Sequence, residues 1–269
     1  MLVCAPSNSA ADVIASRLLE KGHIPASNIL RMYAASRLWE AVPLAVRCCA
    51  NYDKASEDYY YPTLAEIMKY HVVIVTLVTS AKLVTSGIPA GHFSHVFIDE
   101  GGHAVEPEVL VPIAGILTTE GHRGTFAGQL VIAGDPKQLG PIIRSTVANK
   151  MGLGRSFLER LMDEVDLYSR DEETDAYDTA VITKLIKNFR SHKDILNISN
   201  SLFYHKELKV LYTFNSVGIS DLPPLPLPHS GSMGRSVDPS VCNRSQKPSL
   251  RDYRGIDLKL PSGDLMSVS

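Results

Sequence analysis

The run Val96-Phe97-Ile98 leads directly into Asp99-Glu100 and is then cut off by Gly101-Gly102. An apolar triplet bounded in this way suits a short strand buried on both faces of a parallel sheet. In open parallel sheets, ligands bind beyond the carboxyl ends of the strands, which places Asp99 and Glu100 within a ligand's reach. Two adjacent acids there suit metal and nucleotide chemistry, one carboxylate ordering the water shell of a Mg²⁺ ion and the other orienting or deprotonating an attacking water. A plain turn with two solvated carboxylates would be written with the same letters. The rest of the chain has to decide between them.

Four further apolar runs follow the same rule of a strand ending in polar groups. Residues 2–5 lead into Pro6-Ser7-Asn8-Ser9, and residues 28–33 form a second short strand. Residues 71–76 end in Thr76, with Thr79 and Ser80 close behind, and residues 129–133 end in Gly134-Asp135-Pro136-Lys137-Gln138-Leu139. Residues 180–186 are a sixth strand candidate, leading to Asn188-Phe189-Arg190-Ser191-His192. Between them the periodicity predicts helices over 10–21, 63–70, 104–116, 156–165 and 193–205, and a helical, surface-like segment from Trp39 to Ala50. Ser9 is a plausible N-cap for the first helix, with Asp12 three positions on in a capping-box spacing. The hydroxyls, amide and free N–H groups at that helix start suit a phosphate, although a simple cap uses the same residues. The Tyr59-Tyr60-Tyr61 cluster suits either base stacking or packing.

A formal net charge of -2 gives no bulk positive field, so any nucleic-acid contact would be made by local groups. Cys4, Cys48, Cys49 and Cys242 form no Cys-x-x-Cys pair and no dense framework, a pattern of reducing compartments. No apolar run approaches the ~20 residues of a membrane span, so the expected partners exclude a membrane. Residues 169–178 are acidic, and from Ser216 onward the chain is rich in Pro, Ser and Gly with no apolar period, which predicts a disordered tail over 216–269.

Strands ending in Asp-Glu, in Gly-Asp-Pro-x-Gln-Leu and in Asn-Phe-Arg-Ser-His, in that order, form a specific set. With Leu-Val-Cys-Ala-Pro-Ser-Asn-Ser-Ala-Ala-Asp at the start and Leu-Phe-Tyr-His-Lys-Glu-Leu near the end, residues 2–210 resemble the motor core of an Upf-like superfamily 1 helicase, most closely the Armitage-type RNA helicases of small-RNA silencing. The resemblance implies an α/β fold of P-loop NTPase type: a partial first RecA-like domain over 1–150, a linker and helix over 151–179, and the start of a second RecA-like domain over 180–215. It implies ATP and Mg²⁺ as cofactors, single-stranded RNA and silencing proteins as partners, and a cytoplasmic location that includes ribonucleoprotein granules. By similarity Asp99 would order the Mg²⁺ shell and Glu100 would be the general base. Gln138 would sense the γ-phosphate, Arg190 would reach it from the second motor domain and stabilise transition-state charge, Asp135 would bind the nucleotide, and Phe189 would stack on adenine. Pro6, Ser7, Asn8 and Ser9, with Thr76 and Thr79, would touch the backbone of the nucleic-acid strand.

Two departures from the family pattern stand out. Where the family usually has Asp-Glu-Ala-Gly-Gln, this chain has Asp99-Glu100-Gly101-Gly102-His103, which predicts added backbone freedom at Gly101. No Gly-x-x-x-x-Gly-Lys-Ser/Thr occurs, nor any Gly-Lys dipeptide, and the later motifs of the second motor domain are missing too. The expectation is therefore part of a helicase motor, inactive in isolation, whose sheet lacks an interior strand. The alternative is a non-catalytic remnant that binds RNA or a silencing partner. A metal hydrolase built on His92, His95, Asp99 and His103 would need His95 and Asp99, at opposite ends of one strand ~13 Å long, to share an ion.

Overall fold

The computed structural model describes residues 1–118, 128–174 and 176–211. The predicted tail over 216–269 and residues 119–127 lie outside the described residues. The chain divides into two compact units, Met1–Thr183 and Lys184–Ser269.

The first unit is built on five parallel strands: β1 (Leu2–Ala5), β2 (Ile29–Arg31), β5 (Val72–Thr76), β6 (His95–Ile98) and β7 (Gln129–Ile132). Their order is β2-β5-β1-β6-β7. β1 is central, with Cys4 opposite Val75 on one side and Ile98 on the other, and β7 continues in register from Ile98 to Ile132. Side chains alternate across the sheet and so feed two apolar layers. Leu2, Cys4, Val73, Val75, Val96 and Ile98 face α3 (Leu77–Thr85) and α4 (Glu106–Ile113). Val3, Ala5, Val72 and Ile74 face α1 (Asn8–Lys21), where Ala11 and Ala15 are fully buried and their small side chains let the helix lie close to the strands. Each buried Val, Leu or Ile contributes about 1.5–3 kcal/mol. The result is a parallel α/β sandwich of the RecA-like kind.

Several local expectations change. The N-cap of α1 is Ser7, whose Oγ accepts from the Ala10 N–H at 3.2 Å, and the helix starts at Asn8 rather than Ala10. Asp12 caps nothing; it points into the core. The segment from Trp39 to Ala50 is two short 3₁₀ turns, Trp39–Ala41 and Arg47–Cys49, because Val42, Val46 and Cys49 are spent on covering the sheet instead of lining one helical stripe. Next comes a hairpin, β3 (Tyr52–Asp53) with β4 (Asp58–Tyr59), whose aromatics pack together: Trp39 stacks on Tyr52 at 3.9 Å, and Tyr59 meets Tyr52 edge-on at 5.1 Å. Packing thus accounts for Tyr59. α2 (Leu64–Ile67) is a single turn held by a Thr63–Glu66 capping box.

No gap opens inside the described sheet. The exposed backbone is at its rim, where β7 has β6 on one side and no further strand on the other among the described residues. Leu130 and Val131 are 37% and 43% exposed there. Beyond β7, α5 (Thr146–Ala148) leads toward α6 (Phe157–Glu164), capped by the buried Ser156 and tied to α4 by a two-pronged Arg160–Glu106 ion pair at 2.8 and 2.7 Å.

In the second unit β8 (Lys187–Asn188) pairs in parallel with β9 (Lys209–Val210), and α7 (Lys193–Phe203) connects them. The strand expected over 180–186 does not form; Val181 lies in a turn, residues 182–186 are irregular, and ladder pairing begins only at Lys187. Among the described residues the run meets a strand only at its end, where Ile186 O accepts from the Lys209 N–H at 2.7 Å.

Candidate functional site

The register brings the carboxyl ends of β5, β1, β6 and β7 level along one edge. Successive strands are ~4.8 Å apart, so Thr76, the Pro6–Ser9 turn, Asp99-Glu100 and the Gly134–Gln138 loop follow one another across about 14 Å. Thr76 caps α3, accepting from the Thr79 N–H at 3.3 Å, and the two hydroxyls lie 2.7 Å apart. Thr79 is nearly buried, whereas Thr76 keeps partial exposure. On β1 the turn presents Ser7 and Ser9, whose hydroxyls share a 3.0 Å hydrogen bond, and a half-buried Asn8.

Asp99 extends the β1–β6 ladder, its N–H donating to Cys4 O at 2.9 Å. Burial pushes its carboxyl above the ordinary carboxylate range, opposed by a hydrogen bond from the Glu100 N–H. Among the described residues no basic side chain forms a salt bridge with it. Such a carboxylate gains from a cation, and Mg²⁺ is bound through one or two carboxylates with water and phosphate completing the shell. The donor set therefore fits the metal half of a metal–nucleotide site. It does not fit the phosphate half, because nothing in this sequence provides a glycine-lysine loop. Glu100 is exposed and adopts a left-handed φ of 55°, turning its side chain off the strand line. His95, at the other end of β6, shares a hydrogen bond with Ser94 and stacks on Phe97, leaving it no part in this edge.

The loops after β6 and β7 are locked together through their glycines. The Gly101 N–H donates to Ala133 O at 2.8 Å. A Cβ on Gly102 would stand 2.6 Å from Asp135 O, and one on Gly134 would stand 2.7 Å from Gly102 N. A Cβ on Gly101 would meet the Ile132 Cγ2 methyl at 2.5 Å. Gly101 has no left-handed φ, so what it supplies is room rather than backbone freedom. Within the second loop Asp135 accepts from the Lys137 N–H at 2.9 Å and from Gln138 Nε2 at 3.0 Å, holding Gln138 beside Asp135. His103 Nδ1 lies 3.4 Å from Leu139 O, a second tie between the loops.

In the second unit, Asn188 Oδ1 accepts from the N–H groups of Arg190 at 3.1 Å and Ser191 at 2.8 Å. His192 then caps α7. This tight turn leaves Phe189 54% exposed and Arg190 exposed at the end of β8. Sequence reasoning missed the buried group behind the β1 turn, namely Asp12, Arg31, Tyr33 and Asn51. A charged residue inside the apolar run Ile29-Leu30-Arg31-Met32 was the signal for it.

A parallel sheet with acids, amides and hydroxyls gathered at one carboxyl edge defines an α/β domain of the RecA-like class. Residues 51–146 match the family model described as an AAA domain. The chain is 43% identical over 263 residues to a putative helicase mov-10-B.1 of Danio rerio, covering 94% of this chain and 25% of that protein. It is 50% identical over 210 residues to a putative helicase MOV-10 of Gallus gallus, covering 78% and 21%. It is 34% identical over 227 residues to a probable RNA helicase armi of Drosophila melanogaster, covering 77% and 18%. The chain belongs to the Upf-like superfamily 1 helicases and is related to their Armitage-type RNA helicases. It spans a quarter or less of the length of these relatives. No helix among the described residues is long and apolar enough to cross a membrane.

Proposed function

We propose that this chain is the carboxylate-bearing, RNA-facing part of the motor core of an ATP-dependent RNA helicase acting in small-RNA silencing in the cytoplasm. One observation carries the reading: the turns assigned to RNA end β5 and β1, and the groups assigned to hydrolysis end β6 and β7, on a single sheet edge. Thr76, Thr79 and the Pro6–Ser9 turn offer hydroxyls, an amide and N–H groups, which suit a sugar–phosphate backbone read without regard to sequence. Asp99 offers the metal carboxylate and Glu100 the base, while Asp135 and Gln138 form the polar wall beside them. Mg²⁺, when bound, supplies charge neutralisation at the phosphates. Phe189 and Arg190 offer a stacking face and a phosphate-binding fork from the second unit.

Hydrolysis also needs backbone N–H groups and a lysine around the β- and γ-phosphates, and this sequence contains no such loop. That favours a second reading for the chain by itself, RNA binding without turnover. The test is to measure single-stranded RNA binding and ATP hydrolysis by residues 1–269, and to repeat both in a longer polypeptide that adds a glycine-lysine loop. RNA binding in both, with hydrolysis confined to the longer form and abolished by Glu100→Gln, is the expected result. Hydrolysis that survives both Asp99→Asn and Glu100→Gln would remove this strand end from the chemistry.

A further inference from the structure

Behind the β1 turn lies Arg31, a strand residue with no exposure at all. Burying an arginine costs several kcal/mol unless its N–H donors and its charge find partners. Nε donates to Asp12 Oδ1 at 2.9 Å, Nη1 to Met32 O at 3.0 Å, and Nη2 to Asn8 Oδ1 at 2.8 Å and Asn8 O at 3.4 Å. The guanidinium carbon lies 4.0 Å from the centre of the Tyr33 ring. Asp12 is fixed in turn by the Tyr33 O–H at 2.6 Å and by Arg37 Nη2 at 3.4 Å. The guanidinium thus reaches from a rigid internal ion pair out to the first residue of α1.

That reach has a chemical consequence. A guanidinium carries donors and no acceptor, so the end of the Asn8 amide that meets it must be the carbonyl oxygen. The NH₂ end is thereby turned away from the core, at a half-buried position on the edge where Ser7 and Ser9 also stand. No hydrogen bond from Asn8 Nδ2 occurs among the described residues. An unrestrained asparagine would present oxygen or nitrogen with similar ease. Here the charge behind it removes the choice.

We propose that Arg31 is a positioning residue for RNA binding: it fixes the flip of the Asn8 amide so that two N–H donors face an acceptor oxygen of the bound strand, a phosphate or ribose oxygen. This rests on the reading that the Pro6–Ser9 turn contacts RNA. A structural role alone would leave Arg31 holding the fold through Asp12, with Asn8 incidental. The two differ in whether the effects of Arg31 and Asn8 on binding are coupled.

The experiment is a double-mutant cycle on the full 269-residue chain, reading the affinity for an oligouridine single strand by fluorescence anisotropy. Asn8→Ala removes the amide. Arg31→Lys keeps a positive charge for Asp12 but lacks the rigid fork that spans Asp12 and Asn8 together. Asn8→Ala should weaken binding by roughly fivefold to tenfold, the scale of one or two hydrogen bonds. Arg31→Lys should weaken it similarly in the wild-type background and hardly at all once Asn8 is alanine. The slope of log affinity against log salt should not change for Arg31→Lys, since no phosphate-neutralising charge is lost. Equal losses from Arg31→Lys in both backgrounds would overturn the proposal while leaving the RNA reading intact; no binding by the wild-type chain would overturn both. Asn8→Asp covers the case in which Arg31→Lys does not fold. It strengthens the contact with Arg31 but replaces the N–H donors with oxygen, so melting at or above wild type with weaker binding than Asn8→Ala is expected. Undiminished binding by Asn8→Asp would refute the orientation argument.

Discussion

Gly101 and Gly102 are adjacent and both buried, yet alanine should be tolerated at the first and damaging at the second. At Gly101 the added Cβ meets the Ile132 Cγ2 methyl at 2.5 Å and Ala133 O at 3.2 Å. Ile132 belongs to an edge strand and is only partly buried, so its methyl can be displaced by a rotamer change or a small shift of the strand. At Gly102 the added Cβ meets the backbone of Asp135, with O at 2.6 Å, C at 3.0 Å and N at 3.4 Å. A carbonyl has no rotamer to change, and the whole turn must move. Overpacking costs about 1–3 kcal/mol, occasionally more, whereas Gly→Ala at a compatible site gains about 0.4–1 kcal/mol by restricting the unfolded chain. Gly101→Ala should therefore lie within about 1 kcal/mol of wild type, and Gly102→Ala should cost about 2–3 kcal/mol. For a domain of this size that is a fall in Tm of roughly 4–12 °C, read by thermal and urea denaturation monitored by circular dichroism. The family habit of Asp-Glu-Ala-Gly-Gln, with a Cβ at the first position and none at the second, follows from the same geometry. Equal Tm values for the two variants would refute the claim that the loops meet backbone to backbone.

Three further outcomes follow from the packing and charges of the fold. Because burial raises the Asp99 carboxyl above its unfolded value, its ionised form costs the fold stability at pH above the raised folded value, and that cost vanishes as pH falls below the ordinary value of 3.8. Asp99→Asn should thus raise Tm at pH 7 and have no effect near pH 3, and a gain of equal size at both would contradict the assignment. Asp12→Ala strands the fully buried Arg31 and should cost about 3–5 kcal/mol in urea unfolding, whereas Tyr33→Phe, which removes one 2.6 Å hydrogen bond to that carboxylate, should cost about 1.5–3 kcal/mol. Val131→Lys places a charge on the apolar, open-edged β7 and should reduce concentration-dependent association in light scattering, with Tm little changed.

The sheet was largely legible because β1, β5, β6 and β7 are each a short apolar run closed by polar or glycine residues, and such runs fix their own ends. Periodicity failed where tertiary packing decided the outcome. Val42, Val46 and Cys49 are apolar for the sake of the sheet they cover, which made 3₁₀ turns look like a helix. Val181 and Leu185 read as a strand but pair with none among the described residues. Asp12 misled in a different way. Its three-residue spacing from Ser9 imitates a capping box, but its true partner, Arg31, is nineteen positions away and no local pattern reports such a pair. For the same reason Asn8 was legible as a candidate while the group that orients it was not. The edge character of β7 was hidden as well, since Gln129-Leu130-Val131-Ile132 is as apolar as an interior strand; exposure depends on which neighbours exist, and residue order does not encode that.

The two halves of the site edge differ in how firmly they are held, and that difference has a mechanical meaning. β5 and β1 are buried on both faces and pinned by helices on each, so the turns assigned to RNA stand on the stiffest part of the sheet. The Asp135–Gln138 loop hangs from an exposed edge strand whose described partner is β6, and it is held to the turn after Glu100 by the glycine contacts and by the His103–Leu139 tie. A displacement of that loop has a direct path inward, because Gly101 and Gly102 have no side chain to yield before their backbone does. The next residue back is Glu100, already held at a positive φ that an L side chain rarely adopts. Asp99, one residue further, is tied to β1 through Cys4 O. A shift at Gln138 is thus delivered first to the orientation of Glu100 and is stopped at Asp99 by the central ladder. A change at Gln138 can reorient Glu100 in this way without moving Asp99 or the Pro6–Ser9 and Thr76 turns beside it.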